Sequence, residues 1–182
     1  MCAEATSGLP SPWKQFFTEI DGALTEPLKL HCIGGFALVH YYGVPRTTGD
    51  VDYYAAIPNN VDLEAMAGRN SPLHRKHKIY LQKVDVVTLP EDYESRLRAL
   101  AERQFQKLNL LVPDPYDFIL SKLQRASQKD LDDADYLFKT QRLESTKLRE
   151  RYFEELRMYL IGPPERHDGT LERWIEVFES AA

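Results

Sequence analysis

Residues Gly34 to Tyr54 read GGFALVHYYGVPRTTGDVDYY, and the parsing of this stretch decides the fold. Two glycines open an apolar run, a Gly-Val-Pro-Arg-Thr-Thr turn follows, and then come two aspartates separated by one valine. The apolar run Phe36 to Tyr42 suits a short helix that Gly43 and Pro45 end, while DVDYYAAI suits a strand closed by Pro58-Asn59-Asn60. On a strand, Asp50 and Asp52 point to the same face. Like charges that close repel, and a divalent cation between them would remove the penalty.

Outward from this centre, LKLHCIG before the glycines is a strand candidate, and a helix is expected from Trp13 to about Leu24 behind Ser11-Pro12. Residues 1–10 read as a disordered tail. On the other side, VDLEAMAG forms a short helix stopped by Gly68. KIYLQKVDVVTL reads as one or two strands with Asp85 inside, an acid that is expensive among valines without a partner. EDYESRLRALAER is expected to be a helix and FQKLNLLV a strand. Beyond Pro113 and Pro115 every segment reads as helical. The expectation is therefore an α/β (α+β) fold, with a core over 11–112 built on a mixed sheet flanked by helices and a helical C-terminal part over 113–182.

Composition bounds the function. A chain of 182 residues, 43% hydrophobic and 28% charged, is that of an ordinary globular protein. The net charge of −5 excludes a general attraction to nucleic acid. One basic segment stands apart: Arg69 to Lys83, RNSPLHRKHKIYLQK, carries five Lys/Arg, two histidines and no acid. It reads equally as a solvated loop and edge strand or as a phosphate-binding patch. Cys2 and Cys32 form no zinc or disulfide pattern. No signal peptide is visible, and the longest nearly apolar run, 13 residues, is too short for a bilayer. A cytoplasmic protein with no membrane contact is expected.

Three carboxylates, Asp50, Asp52 and Asp85, would supply the oxygen ligands of Mg²⁺ or Mn²⁺ if their strands were neighbours. Gly34 and Gly35 would let backbone N–H groups approach a triphosphate. Arg46, in the turn before Asp50, is a comparable phosphate-binding candidate. In the helical part, Lys122, Arg125, Lys129 and Asp133 would share a face on a continuous helix, which a boundary at Ser127 would break. Lys122 sits among Phe118, Ile119, Leu120 and Leu123, where a cation could meet a nucleotide's phosphates. Asp132 and Asp135 read as a solvated salt-bridged face, and His31 and His40 as partly buried core histidines.

IGGFALVHYYGVPRTTGDVDYY resembles the signature of the DNA polymerase β-like nucleotidyltransferase superfamily: a glycine pair, an Asp-x-Asp strand and a third acid on another strand. DPYDFILSKLQRASQKDLDDADYL is similar to the Lys helix and Asp-rich helix of AbiEii-type toxin nucleotidyltransferases and related small uncharacterised nucleotidyltransferases, whose pattern falls on Lys122, Lys129-Asp130 and Asp133. The resemblance implies an enzyme that moves a nucleoside monophosphate from an NTP to an acceptor hydroxyl. Asp50, Asp52 and Asp85 would be its metal ligands, Gly34, Gly35, Arg46, Lys122 and Asp130 its nucleotide contacts, and Asp85 its general base. It further implies a toxin of a toxin–antitoxin or phage-defence pair, with RNA such as tRNA as acceptor and a cognate antitoxin as partner. The alternatives are a non-catalytic nucleotide-binding module and a small-molecule, antibiotic-modifying type of nucleotidyltransferase.

Overall fold

The computed structural model describes residues 8–180. Most of the tail expected over 1–10 lies outside that range, as does Cys2. Leu9, within it, is buried, and its N–H donates to Gln104 Oε1 at 2.8 Å. The chain packs as two units. The first takes the described residues up to Asp85 together with Arg98–Val112, and the second takes Val86–Leu97 together with the chain from Pro113. Residues 86–97, read above as part of the α/β core, thus pack with the helical part.

The first unit is a five-stranded mixed sheet with the order β3-β2-β1-β5-β4. Helix α1 (Trp13–Ala23) leads to β1 (Leu28–Ile33), α2 (Gly34–His40) and β2 (Asp50–Ile57); then come α3 (Leu63–Ala67), α4 (Pro72–His77) and β3 (Tyr80–Lys83). β4 (Arg98–Leu100) and β5 (Leu108–Val112) complete it. β1 runs antiparallel to β2 and parallel to β5, β2 runs parallel to β3, and β4 runs antiparallel to β5. β1 is therefore central, which suits its nearly continuous apolar burial.

The amphipathic α1 buries Trp13, Phe16, Phe17 and Ile20, and Phe36 of α2 lies 5.1 Å from Trp13 and 5.4 Å from Phe17. Polar anchors fix the same helix. The Asp21 carboxylate accepts N–H bonds from Gln106, Lys107 and Leu108 at 3.1, 2.7 and 2.7 Å, which pins the start of β5. Glu19 takes Lys76 and His77, both at 2.7 Å, and so ties down α4.

Two expectations are corrected. The stretch 91–103 is no helix: a 3₁₀ turn at Tyr93–Arg96 gives way to β4, whose Leu100 pairs with Leu110. The strand expected across KIYLQKVDVVTL stops at Lys83.

In the second unit, α5 (Pro115–Leu120), α6 (Gln128–Thr140), α7 (Ser145–Arg151) and α8 (Pro164–Ser180) bury Leu137, Leu148, Tyr152, Leu171, Trp174 and Phe178. Phe138 stacks on Phe178 at 4.7 Å. After α7 the helix widens into a π turn over Tyr152–Leu156. A charged network lies inside the unit. Asp114 caps α5 and accepts from Arg151 at 2.6 Å; Asp117, fully buried, accepts from Arg151 at 2.8 Å and from Arg96 at 2.9 Å; Arg96 also reaches Glu155 at 2.6 Å. Among the described residues no helix is long and apolar enough to cross a membrane.

Candidate functional site

β1 and β2 pair with a bulge. Up to His31↔Ala55 the register is regular, but the next pair is Cys32↔Tyr53, so β2 spends one more residue, Tyr54, than β1 does. Bulges of this kind re-aim side chains. Here the slip sets Asp52 opposite Ile33, immediately before the chain turns into α2.

The turn needs its glycines. Gly34 has φ +66°, a left-handed conformation that costs other residues about 1–2 kcal/mol. A Cβ there would also run into the Asp52 carboxylate. At Gly35 an added Cβ would meet Thr48 Oγ1 at 2.9 Å and Arg46 Nη2 at 3.7 Å. Gly34, Gly35, Arg46, Thr48 and Asp52 are thus gathered at one end of β2. Thr48 donates to Asp50 Oδ1 at 3.1 Å. Asp50 is paired in register with Tyr80, whose hydroxyl lies 3.4 Å from Asp50 Oδ2. Asp50 and Asp52 are both half-buried, so their carboxylates meet solvent on the face that carries Tyr80 and Gln82.

Asp85 is elsewhere. It stands in an exposed bend beyond β3 rather than in a strand. The ladder continues one residue past β3, with Val84 N–H donating to Tyr53 O at 2.9 Å. Burial first, then the charges of Glu64, Asp62 and Asp85, hold the Tyr53 phenol above its usual pKa. No group of three His, Cys, Asp or Glu side chains able to hold a metal occurs among the described residues. Asp50 and Asp52 stand two residues apart on β2, and Asp85 follows the end of β3.

The basic segment 69–83 is partly committed. It holds helix α4, where Lys76 and His77 bind Glu19 and the Arg75 guanidinium donates to Asn70 O at 3.0 Å. Burial lowers the pKa of His40, which sits 4.8 Å from the Trp13 ring. His31 is buried, as expected, and Cys32 is buried with its thiol pushed far up by burial and the Asp52 charge, an inert group.

In the second unit the predicted residues arrange themselves around Asp130. α5 ends at Leu120 and α6 begins behind the Ser127 cap, so Lys122, Arg125, Lys129 and Asp133 do not share one helix. Ala126, with φ +47°, turns the chain between them. Arg125 instead folds back onto Asp130, with Nε 2.8 Å from Oδ2, and Ser127 Oγ donates to the same oxygen at 2.6 Å. Lys122 Nζ stands 4.0 Å from Asp130 Oδ1 and 5.1 Å from the centre of the Phe118 ring. Burial alone would raise the pKa of Asp130, but Arg125, Ser127 and Lys122 together bring it down to about 2.

Sequence reasoning missed a pocket of about 450 Å³ lined by Glu64, Gly68, Arg69, Tyr80, Leu81 and Gln82. Its residues come from α3, the following turn and β3 and share no motif; the basic run beginning at Arg69 is their one linear signal.

No curated protein and no solved structure matches the chain. A protein family described as nucleotidyltransferases of unknown function does, over residues 14–181. With nearly the whole length covered, the chain belongs to the nucleotidyltransferases of unknown function grouped as DUF6036.

Proposed function

We propose that the protein transfers a nucleoside monophosphate from an NTP to an acceptor hydroxyl with a divalent cation held by Asp50 and Asp52. The observation that carries this reading is the fit of Gly34 against Asp52, which joins the phosphate-approaching turn to the acidic strand. The donor set suits Mg²⁺ or Mn²⁺: two carboxylates on one sheet face, half-buried, offer hard oxygen ligands and leave positions for phosphate and water. When bound, the ion would neutralise charge developing on the transferred phosphoryl group. The protein's own work is positional. The bare backbone of Gly34 and Gly35 admits the triphosphate, Thr48 orients Asp50, and the Arg46 guanidinium beside Gly35 offers charge to phosphate oxygens. Lys122 is the further phosphate contact that the resemblance suggests.

Asp50→Asn and Asp52→Asn should each abolish Mg²⁺-dependent incorporation of labelled NTP while leaving the circular dichroism spectrum unchanged. Turnover retained in both would reject the mechanism. The toxin role belongs to this reading as a consequence of transfer to RNA, and growth arrest on expression should vanish in the same variants.

The position of Asp85 favours a second reading. Two carboxylates on one strand with the third acid in an exposed bend is what a nucleotide-binding module without turnover would keep. That module would bind Mg²⁺–NTP in an Asp50-dependent way and release no pyrophosphate with any acceptor.

A further inference from the structure

Two hydroxyls of the chain face the Asp50 carboxylate, one on each oxygen. Thr48 Oγ1 lies 3.1 Å from Oδ1 and 3.3 Å from the Asp50 main-chain oxygen, so it meets two acceptors of one residue and orients it. The Tyr80 hydroxyl, 3.4 Å from Oδ2, is placed differently, because its oxygen also accepts an N–H from Arg69 Nη2 at 2.6 Å. A guanidinium can only donate, so the phenolic proton is left for Asp50. Tyr80 thus stands as a hydroxyl nucleophile beside a proton acceptor, the arrangement that covalent modification of a side chain requires. The half-buried ring is fixed there. It lies opposite Asp50 in the β2–β3 register, the Arg69 guanidinium covers it 4.7 Å from its centre, and the His74 ring meets it edge-on at 5.0 Å. His74 is held in turn by the Asn70 N–H, which donates to Nδ1 at 2.8 Å. The distance of 3.4 Å exceeds a normal O–H···O bond, as catalytic hydrogen bonds often do before substrate tightens them.

We propose that Tyr80 is a site of self-modification, where the protein attaches a nucleoside monophosphate from an NTP to its own phenolic oxygen and so closes its own site. The inference rests on the nucleotidyl-transfer reading above and adds to it a covalent site on the chain. Asp50 has the capacity for both roles it is given. A carboxylate offers about four lone-pair sites, so it can accept from Thr48 and Tyr80 and still hold a cation.

In the step, a bond forms between Tyr80 Oη and the α-phosphorus of the NTP. The bond from that phosphorus to pyrophosphate breaks, pyrophosphate leaves, and the hydroxyl proton passes to Asp50 Oδ2 and from there to solvent. The product carries an anionic phosphodiester and a nucleoside on the oxygen beside Asp50. Bulk and like charge at that position oppose the entry of a second NTP, so the reaction stops after one event per chain.

The test is intact-mass spectrometry of the full chain incubated with Mg²⁺ and each NTP in turn, followed by peptide mapping. One nucleotidyl group per chain is expected, on Tyr80. Tyr80→Phe should gain no mass and bind Mg²⁺–NTP as the unaltered protein does. Arg69→Ala, which frees the ring, should slow labelling on the order of 100-fold, the cost of a misplaced reacting group. A tagged Asp50→Asn chain mixed with the unaltered protein should stay unlabelled, because acceptor and carboxylate belong to one chain. A further readout needs no turnover: labelled protein, freed of NTP and metal, should have lost Mg²⁺–NTP binding in calorimetry, and a phosphodiesterase should restore it. A group mapped to any other residue, labelling that persists in Tyr80→Phe, or transfer to the tagged chain overturns the inference and leaves the transferase reading standing. Pyrophosphate release on an added acceptor with Tyr80 unmodified does the same, and unchanged binding in the labelled protein overturns the closing of the site. No mass gain and no pyrophosphate with any NTP or acceptor rejects both the inference and the transferase reading.

Discussion

At Gly34 a single missing side chain does two things: it permits a left-handed φ and it leaves room for the Asp52 carboxylate. Gly34→Ala should therefore cost about 1–2 kcal/mol from backbone strain, with displacement of Asp52 adding to it. Urea denaturation measures the first effect and loss of Mg²⁺–NTP binding the second. Gly22 is the control, because it lies within α1 with nothing within 4 Å of an added Cβ. Gly22→Ala should stabilise by up to about 1 kcal/mol and leave binding untouched. Asp130 makes a different residue-level prediction. Its folded pKa of about 2 lies below the ordinary 3.8, so the ionised carboxylate stabilises the fold above the unfolded value and that stability is lost as pH falls through the folded one. The difference corresponds to about 2 kcal/mol. The stability gap between the unaltered protein and Asp130→Asn should be constant above about pH 5 and close between about pH 4 and 2. A gap that persists at the acid end would mean that packing, not charge, is what the carboxylate supplies.

At the scale of elements, Lys122 lies between the end of α5 and the start of α6, held near Asp130 and over Phe118. Lys139, exposed near the end of α6, pairs locally with Asp135 at 2.7 Å. If Lys122 meets the triphosphate, Lys122→Ala should weaken NTP binding severalfold in a calorimetric titration and Lys139→Ala should not; equal effects would make Lys122 a structural partner of Asp130. Local pattern made most elements legible. The period-2 run DVDYYAAI and the Gly-Gly start of α2 depend on nearest neighbours, and β2 and α2 form where those neighbours dictate. Long-range choices were hidden. EDYESRLRALAER is full of helix formers, yet Arg96 is drawn to Asp117 and Glu155 and Leu100 to the β5 ladder, so tertiary partners override propensity. The same holds for the site. That Asp50 and Asp52 share a face follows from their spacing. That Tyr80 faces Asp50 follows only from the β2–β3 register, which no single strand encodes.

At the scale of the whole molecule, the chain leaves the sheet unit after Asp85 and returns to it at Arg98. The excursion is fastened inside the helical unit by Arg96, which binds Asp117 and Glu155, and by Glu91 N–H donating to Glu155 O at 3.1 Å. Burial raises the pKa of Asp117, and the guanidiniums of Arg96 and Arg151 oppose that shift. Arg96→Ala would leave Asp117, fully buried, with Arg151 alone. Breaking such a pair costs about 3–5 kcal/mol when no partner remains, so with Arg151 still in place the loss should fall at or below the low end. Its spatial signature is more specific. Arg96 is two residues from Arg98, the first residue of β4, so release of the excursion should loosen β4 through the chain itself. In hydrogen exchange, amides of residues 91–100 should lose protection in Arg96→Ala, whereas those of β1 and β2 should keep theirs. Glu155→Gln, which leaves Asp117 doubly paired, should show a weaker form of the same pattern. Uniform acceleration across both units would instead mean that Arg96 supports global stability and that β4 is held by its ladder to β5 alone.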